Sequence, residues 1–206
     1  INNPLGAIIN YIRTSLANPE VKGQIRGHLE LSLKGLFRIE NIIKQILDYS
    51  GRQKSELKII NINQLIKDTF PFAEHRLLDH GIKYKINLSG SLSDIMADSN
   101  QLHQVFLNII NNAVDAMDGK GELIIETYNK DKEVVIVFTD NGCGINEDIL
   151  DKIFDPFYTT KDVGEGIGLG LFISYNIIQT HQGTINIESR EGKGTKVTIA
   201  FPGVNQ

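Results

Sequence analysis

The chain has 206 residues and 23.0 kDa, with 41% hydrophobic residues and a formal charge of −4 at neutral pH. That length holds one large domain or two modest ones, the apolar share excludes wholesale disorder, and the acidic balance supplies no global field for nucleic acid or an anionic membrane. One cysteine, Cys143, excludes an internal disulfide and a multi-cysteine zinc site, and the most apolar run, residues 134–138, is far too short to span a bilayer.

Over residues 5–16 the apolar positions Leu5, Ile8, Ile9, Ile12 and Leu16 recur at helical spacing until Asn18-Pro19 stops the pattern. A second helix starts near Val21, carries Ile25, Leu29, Leu36, Ile39, Ile43 and Ile46 along one stripe, and ends by Gly51. Such a hairpin cannot bury both stripes alone, so two copies are expected to form a four-helix bundle, with Leu5, Ile12, Leu36 and Ile43 at its interface. Packing of the hairpin on the remainder of its own chain is the alternative. Near residue 57 the periodicity changes: 57–60 reads as a short strand, 63–78 as a helix and 82–88 as an alternating strand. A helix over 100–117, paired strands 122–128 and 133–139, a helix over 169–181 and strands 184–189 and 195–201 complete the pattern. Antiparallel strands with helices that can cover one face make an α+β two-layer sandwich.

Three segments carry chemistry. Asp140-Asn141-Gly142-Cys143-Gly144 leaves a strand with two glycines that permit close backbone approach to a flat ligand. An ionised carboxylate only accepts hydrogen bonds, so a buried Asp140 suits the exocyclic amine of adenine, although a plain hairpin turn explains the same residues. Gly164, Gly166, Gly168 and Gly170 run directly into an apolar helix and place backbone N–H groups where a phosphate chain can lie on its N-terminus. A Rossmann reading fails, because a loop rich in Phe, Pro and Thr stands where that fingerprint needs a strand. On the helix 100–117, the stripe Leu102, Val105, Phe106, Ile109, Ile110 and Ala113 leaves Asn108, Asn112 and Asp115 in line on another face. Amide oxygens are hard ligands suited to a Mg²⁺ already held by phosphates; a solvated polar face is the alternative for each residue taken singly.

In this order, with Phe154-Asp155-Pro156-Phe157 between the glycine clusters, these segments resemble the ATP-binding domain of sensor histidine kinases over about residues 57–202. Asn108 to Ala113 resembles the family's asparagine motif, Asp140 to Gly144 its first glycine motif, Gly166 to Leu171 its second and Gly192 to Thr195 the last. The resemblance implies the Bergerat sandwich shared with gyrase, Hsp90 and MutL proteins, with a left-handed crossover and a lid over about 146–165. It implies Asn112 and Asn108 on Mg²⁺, Asp140 on the adenine amine, and Gly142 and Gly144 beside the base. Phe154, Phe157, Gly164, Gly166, Gly168, Gly170 and Leu171 would border the nucleotide, Thr195 would support the adenine side, and Lys161 would reach the phosphates.

Ile1-Asn2-Asn3-Pro4-Leu5 resembles the sequence just after the phosphoacceptor histidine of the family's dimerisation helix, which would stand two positions before Ile1. Asn3 would then orient water for the reverse, phosphatase, reaction. His28 lies elsewhere on the hairpin, and His75, His80, His103 and His181 read as surface or helix-end residues. The expected organisation is a dimerisation and phosphotransfer hairpin, 1–56, followed by a catalytic ATP-binding domain, 57–206. The implied activity is autophosphorylation of a histidine with Mg-ATP and transfer to an aspartate of a response-regulator receiver domain. The expected partners are ATP, a second copy and that receiver, without nucleic acid or membrane contact by these residues. The expected location is the cytoplasm, free or as part of a membrane-anchored kinase. The alternatives are a nucleotide-driven conformational clamp of the gyrase kind and an ATP-binding scaffold. Clamps carry a glutamate as general base where this chain has Asn108, which cannot take a proton.

Overall fold

The computed structural model describes residues 2–49, 56–161 and 166–204, without the side chains of 2, 3, 38, 41, 42 and 44–49. Contacts group it into two units, Ile1–Lys54 with Lys161–Ile167, and Ser55–Thr160 with Gly168–Gln206.

In the first unit, α1 (Asn2–Ala17) and α2 (Gly23–Tyr49) form the expected hairpin. Asn18 turns the chain between them: its side-chain oxygen accepts from the Glu20 N–H at 3.0 Å while its carbonyl accepts from Val21 at 3.1 Å. Leu5 and Ile9 are buried, whereas Ile12, Leu36 and Ile43 are only half-buried. Ile8, Tyr11, Ile25, Leu31 and Ile39 are exposed, so within one chain the hairpin leaves much of its apolar surface in water. No helix among the described residues is long and apolar enough to cross a membrane.

The second unit is a mixed sheet covered by helices. Its elements are β1 (Lys58–Ile60), α3 (Ile62–Thr69), α4 (Pro71–Asp79), β2 (Ile82–Leu88), β3 (Ile95–Ala97), α5 (Ser99–Ala116), β4 (Gly121–Lys130), β5 (Glu133–Asp140), a 3₁₀ helix (Glu147–Lys152), α6 (Gly170–Thr180), β6 (Thr184–Arg190) and β7 (Gly194–Pro202). The main sheet runs β2-β4-β5-β7-β6, and β1 and β3 pair separately. The α5 stripe is buried throughout and faces alternate residues of the sheet, Leu123 and Ile125 from β4, Ile136 and Phe138 from β5, Val197 and Ile199 from β7. Phe106 packs on Phe138 with ring centroids 5.7 Å apart, and each fully buried side chain of this size contributes about 1.5–3 kcal/mol.

One expectation needs correction, and two features add to the sequence reading. The single helix over 63–78 is two, because Pro71 has no N–H to continue α3 and instead opens α4 at its first position. The sheet is not purely antiparallel: β2 pairs parallel with β4, the intervening α5 carrying the chain back across one face. The short strand β3 and the 3₁₀ helix escape the pattern, being three and six residues long.

Candidate functional site

The end of β5 gathers most of the predicted residues. Asp140, the last residue of that strand, is 8% exposed, and its Oδ1 accepts from the backbone N–H of Gly142 at 2.9 Å and of Thr195 at 3.2 Å. Burial pushes its carboxyl above the usual carboxylate range, opposed by those two hydrogen bonds. Thr195 stands directly opposite on β7, and Ser189 opposite Thr195 on β6.

Backbone-to-backbone contact explains the glycines here. Any Cβ on Gly142 would lie 2.6 Å from the Ala116 carbonyl at the end of α5, and the next N–H, of Cys143, donates to that same oxygen at 2.9 Å. Gly144 has φ +70° and no room, a Cβ falling 2.1 Å from the Arg190 carbonyl. Replacing it with alanine is expected to destabilise the domain by about 3 kcal/mol or more, read as a drop in melting temperature, since strain and clash act together. A loss under about 1 kcal/mol would mean that the 140–145 loop and the turn after β6 separate freely.

On α5, Asn108 and Asn112 share a face one turn apart and are half-buried. The Asn108 amide donates to the Gly170 carbonyl at 3.3 Å and to Ser174 Oγ at 3.4 Å, and no described residue donates to its oxygen. No hydrogen bond joins the Asn112 side chain to another described residue. Two amide oxygens of this kind fit a hard divalent cation held jointly with phosphates. Asp115 does not complete such a set: Arg76 binds it and also donates to Asn111 Oδ1 at 2.7 Å. No cluster of three or more His, Cys, Asp or Glu side chains able to hold a metal occurs among the described residues.

Gly170 and Leu171 open α6, and no described side chain caps that helix at Leu169, a helix start of the kind that suits an anion. Gly168, at φ +72°, brings its backbone against residues 157–158 and accepts from the Phe157 N–H at 3.0 Å. Phe154 rests on Tyr175 of α6, centroids 5.2 Å apart, while Phe157 is 64% exposed. Lys161 and Gly166 group with the first unit rather than with the residues around Asp140, and Gly164 lies outside the described residues. Asn3 lies in the first turn of α1, and its side chain is among those not described. Sequence reasoning missed Ser174 and Ser189, whose hydroxyls meet Asn108 and Thr195; nothing in strand or helix periodicity marks a serine as a partner of a residue on another element.

Residues 97–205 match the family model of histidine kinase-, DNA gyrase B- and HSP90-like ATPases. The chain belongs to this family. Among curated relatives, the signal transduction histidine-protein kinase AtoS of Escherichia coli (strain K12) is 35% identical over 204 residues, covering 98% of this chain and 33% of AtoS. Sporulation kinase A of Bacillus subtilis (strain 168) is 35% identical over 203 residues, with the same two shares. The chain therefore spans about a third of the length of these curated relatives. Among solved structures, histidine kinase ThkA in complex with response regulator protein TrrA matches 97% of this chain and 57% of that one at 27% identity, TM-score 0.73. Family membership fits the mixed sheet under helices, and the ThkA likeness extends over the hairpin as well.

Proposed function

We propose that the chain is the catalytic core of a sensor histidine kinase: residues 57–206 bind Mg-ATP, and residues 1–56 form the dimerisation and phosphotransfer hairpin. The carrying observation is the buried Asp140 carboxylate, held by two backbone N–H groups at the end of β5 beside Thr195. In this reading Asp140 accepts from the adenine amine, Gly142 and Gly144 hold the loop beside the base by packing on the Ala116 and Arg190 carbonyls, and the α6 N-terminus takes the phosphates. Phe154 and Phe157 belong to the lid before Gly168. Asn112 and Asn108 would hold Mg²⁺, which supplies charge neutralisation along the phosphates. A histidine nitrogen attacks the γ-phosphorus, the bond to the β–γ bridging oxygen breaks and ADP leaves; an aspartate of a receiver domain then takes the phosphoryl group. Asn108 works against the clamp alternative: an amide engaged with Gly170 and Ser174 is no base for water.

Calorimetry tests the nucleotide half. Residues 57–206 alone are expected to bind Mg-ATP, because Asp140, Thr195 and the helices α5 and α6 all lie within them; absence of binding would require a contribution from the hairpin. The dimer is tested separately. Ile8 and Ile39, each 46% exposed on the hairpin, are apolar surface that a second copy would cover. Glutamate at both positions is expected to give monomers in sedimentation that still bind ATP. An unchanged dimer would put the interface elsewhere.

A further inference from the structure

The end of the sheet also fixes where a hydroxyl proton points. Asp140, Thr195 and Ser189 stand directly opposite one another across β5, β7 and β6, so their side chains share the face that carries Leu123. Ser189 Oγ has three neighbours there. It accepts from the Ile145 N–H at 2.8 Å, donates to the Gly194 carbonyl at 2.9 Å, and lies 3.0 Å from Thr195 Oγ1. A hydroxyl carries one proton and a carbonyl only accepts, so the Ser189 proton is committed to Gly194. The contact with Thr195 is then filled by the Thr195 proton. Thr195 Oγ1 keeps lone pairs only, and Asp140 likewise spends Oδ1 on two backbone N–H groups and retains Oδ2 as an acceptor.

We propose that Ser189 is a specificity-determining positioning residue: by taking the Thr195 proton it leaves two acceptors side by side at the base site, a pattern that selects 6-aminopurine over 6-oxopurine nucleotides. The inference rests on the reading of Asp140 as the base-recognition residue. A 6-amino group donates to such a pair, whereas a 6-oxo group meets acceptor with acceptor.

The test is calorimetry of the whole chain with ATP and with ITP, which carries a 6-oxo group and an N1–H where adenine has a 6-amino group and a bare N1, and no 2-amino group. Ser189→Ala frees the Thr195 proton for the ligand and is expected to narrow the ATP-to-ITP preference about tenfold. Loss of the Ile145 partner weakens both nucleotides alike and cancels in the ratio. Ser189→Thr keeps the hydroxyl and is expected to keep the preference, and in a Thr195→Val background Ser189→Ala should no longer change it. Equal weakening of both nucleotides by Ser189→Ala, or a ratio change that persists without the Thr195 hydroxyl, overturns the proposal. Should Ser189→Ala fail to fold, Ser189→Cys, a poorer acceptor of similar shape, carries the same comparison. Asp140→Asn is run in parallel: if it leaves the ratio intact, the reading of the base site fails, independently of Ser189.

Discussion

Asp140→Asn is expected to weaken Mg-ATP binding by about 1–3 kcal/mol, roughly 5- to 150-fold, without lowering the stability of the domain at neutral pH. Oδ1 of Asp140 already accepts two backbone N–H groups, from Gly142 and Thr195. In the variant only the amide oxygen can keep those bonds, which turns the NH₂ group to where Oδ2 stood. A donor then faces the donor amine of adenine. GTP is expected to bind the native chain poorly for the converse reason, its 6-oxo group facing the carboxylate. Equal affinity for ATP and GTP would remove Asp140 from this role. Stability moves the other way. Burial raises the folded carboxyl above its unfolded value, so its favourable contribution is complete below about pH 4 and is lost as pH rises through the raised value. The charged carboxylate therefore costs stability at neutral pH, and a neutral amide does not. Melting of the two proteins should coincide in acid and separate at neutral pH, with the variant higher. A variant that melts lower at neutral pH would show that the two backbone hydrogen bonds need the negative charge.

What the sequence disclosed followed from periodicity, and what it withheld followed from pairing. The α5 stripe and the alternation of Ile82–Leu88 each report which face is buried, and both elements form as expected. The parallel pairing of β2 with β4 is invisible in either strand, because a strand buried on one face alternates identically in both orientations. Pro71 is a legible signal that the apolar spacing on either side of it overrides: a proline within a helical pattern marks a break, and here it is the first residue of α4. At the site, Asp140 and the glycines are readable because each is costly without a reason, a buried charge or backbone at positive φ. Ser174 and Ser189 carry no such cost as isolated residues. Their hydroxyls become informative only once Asn108 and Thr195 arrive on other elements with donors and acceptors to match. Asp115 illustrates the opposite error of spacing. It shares a helical face with Asn108 and Asn112, yet Arg76 on α4 binds it.

The 206-residue polypeptide is expected to bind Mg-ATP and to form no phosphohistidine. The resemblance would put the family's acceptor position two residues before Ile1, on the side of α1 remote from the hairpin turn. His28 lies one to two turns beyond that turn on α2, so it recovers only about 8 Å of the roughly 24 Å that the 16 residues of α1 rise, and the two levels stay about 16 Å apart. The other four histidines are engaged locally. His75 pairs with Asp79, His80 Nδ1 donates to the Arg76 carbonyl, and His103 shares a hydrogen bond with Thr69. His181 is 5% exposed and more than a helix-end residue: Nδ1 meets the Ile177 carbonyl at 2.7 Å and Nε2 accepts the Asp98 N–H at 3.0 Å, which occupies both nitrogens of a neutral ring. With Asn108 unable to take a proton from water, slow hydrolysis is the expected residual activity. A polypeptide that carries a histidine two positions before Ile1 should take label from γ-labelled ATP as an acid-labile, base-stable adduct, and its His-to-Gln counterpart should not. Rapid labelling of the 206 residues themselves, mapped to His28 or another internal histidine, would displace the alignment of Ile1 to Pro4 and with it the assignment of this hairpin as the phosphotransfer element.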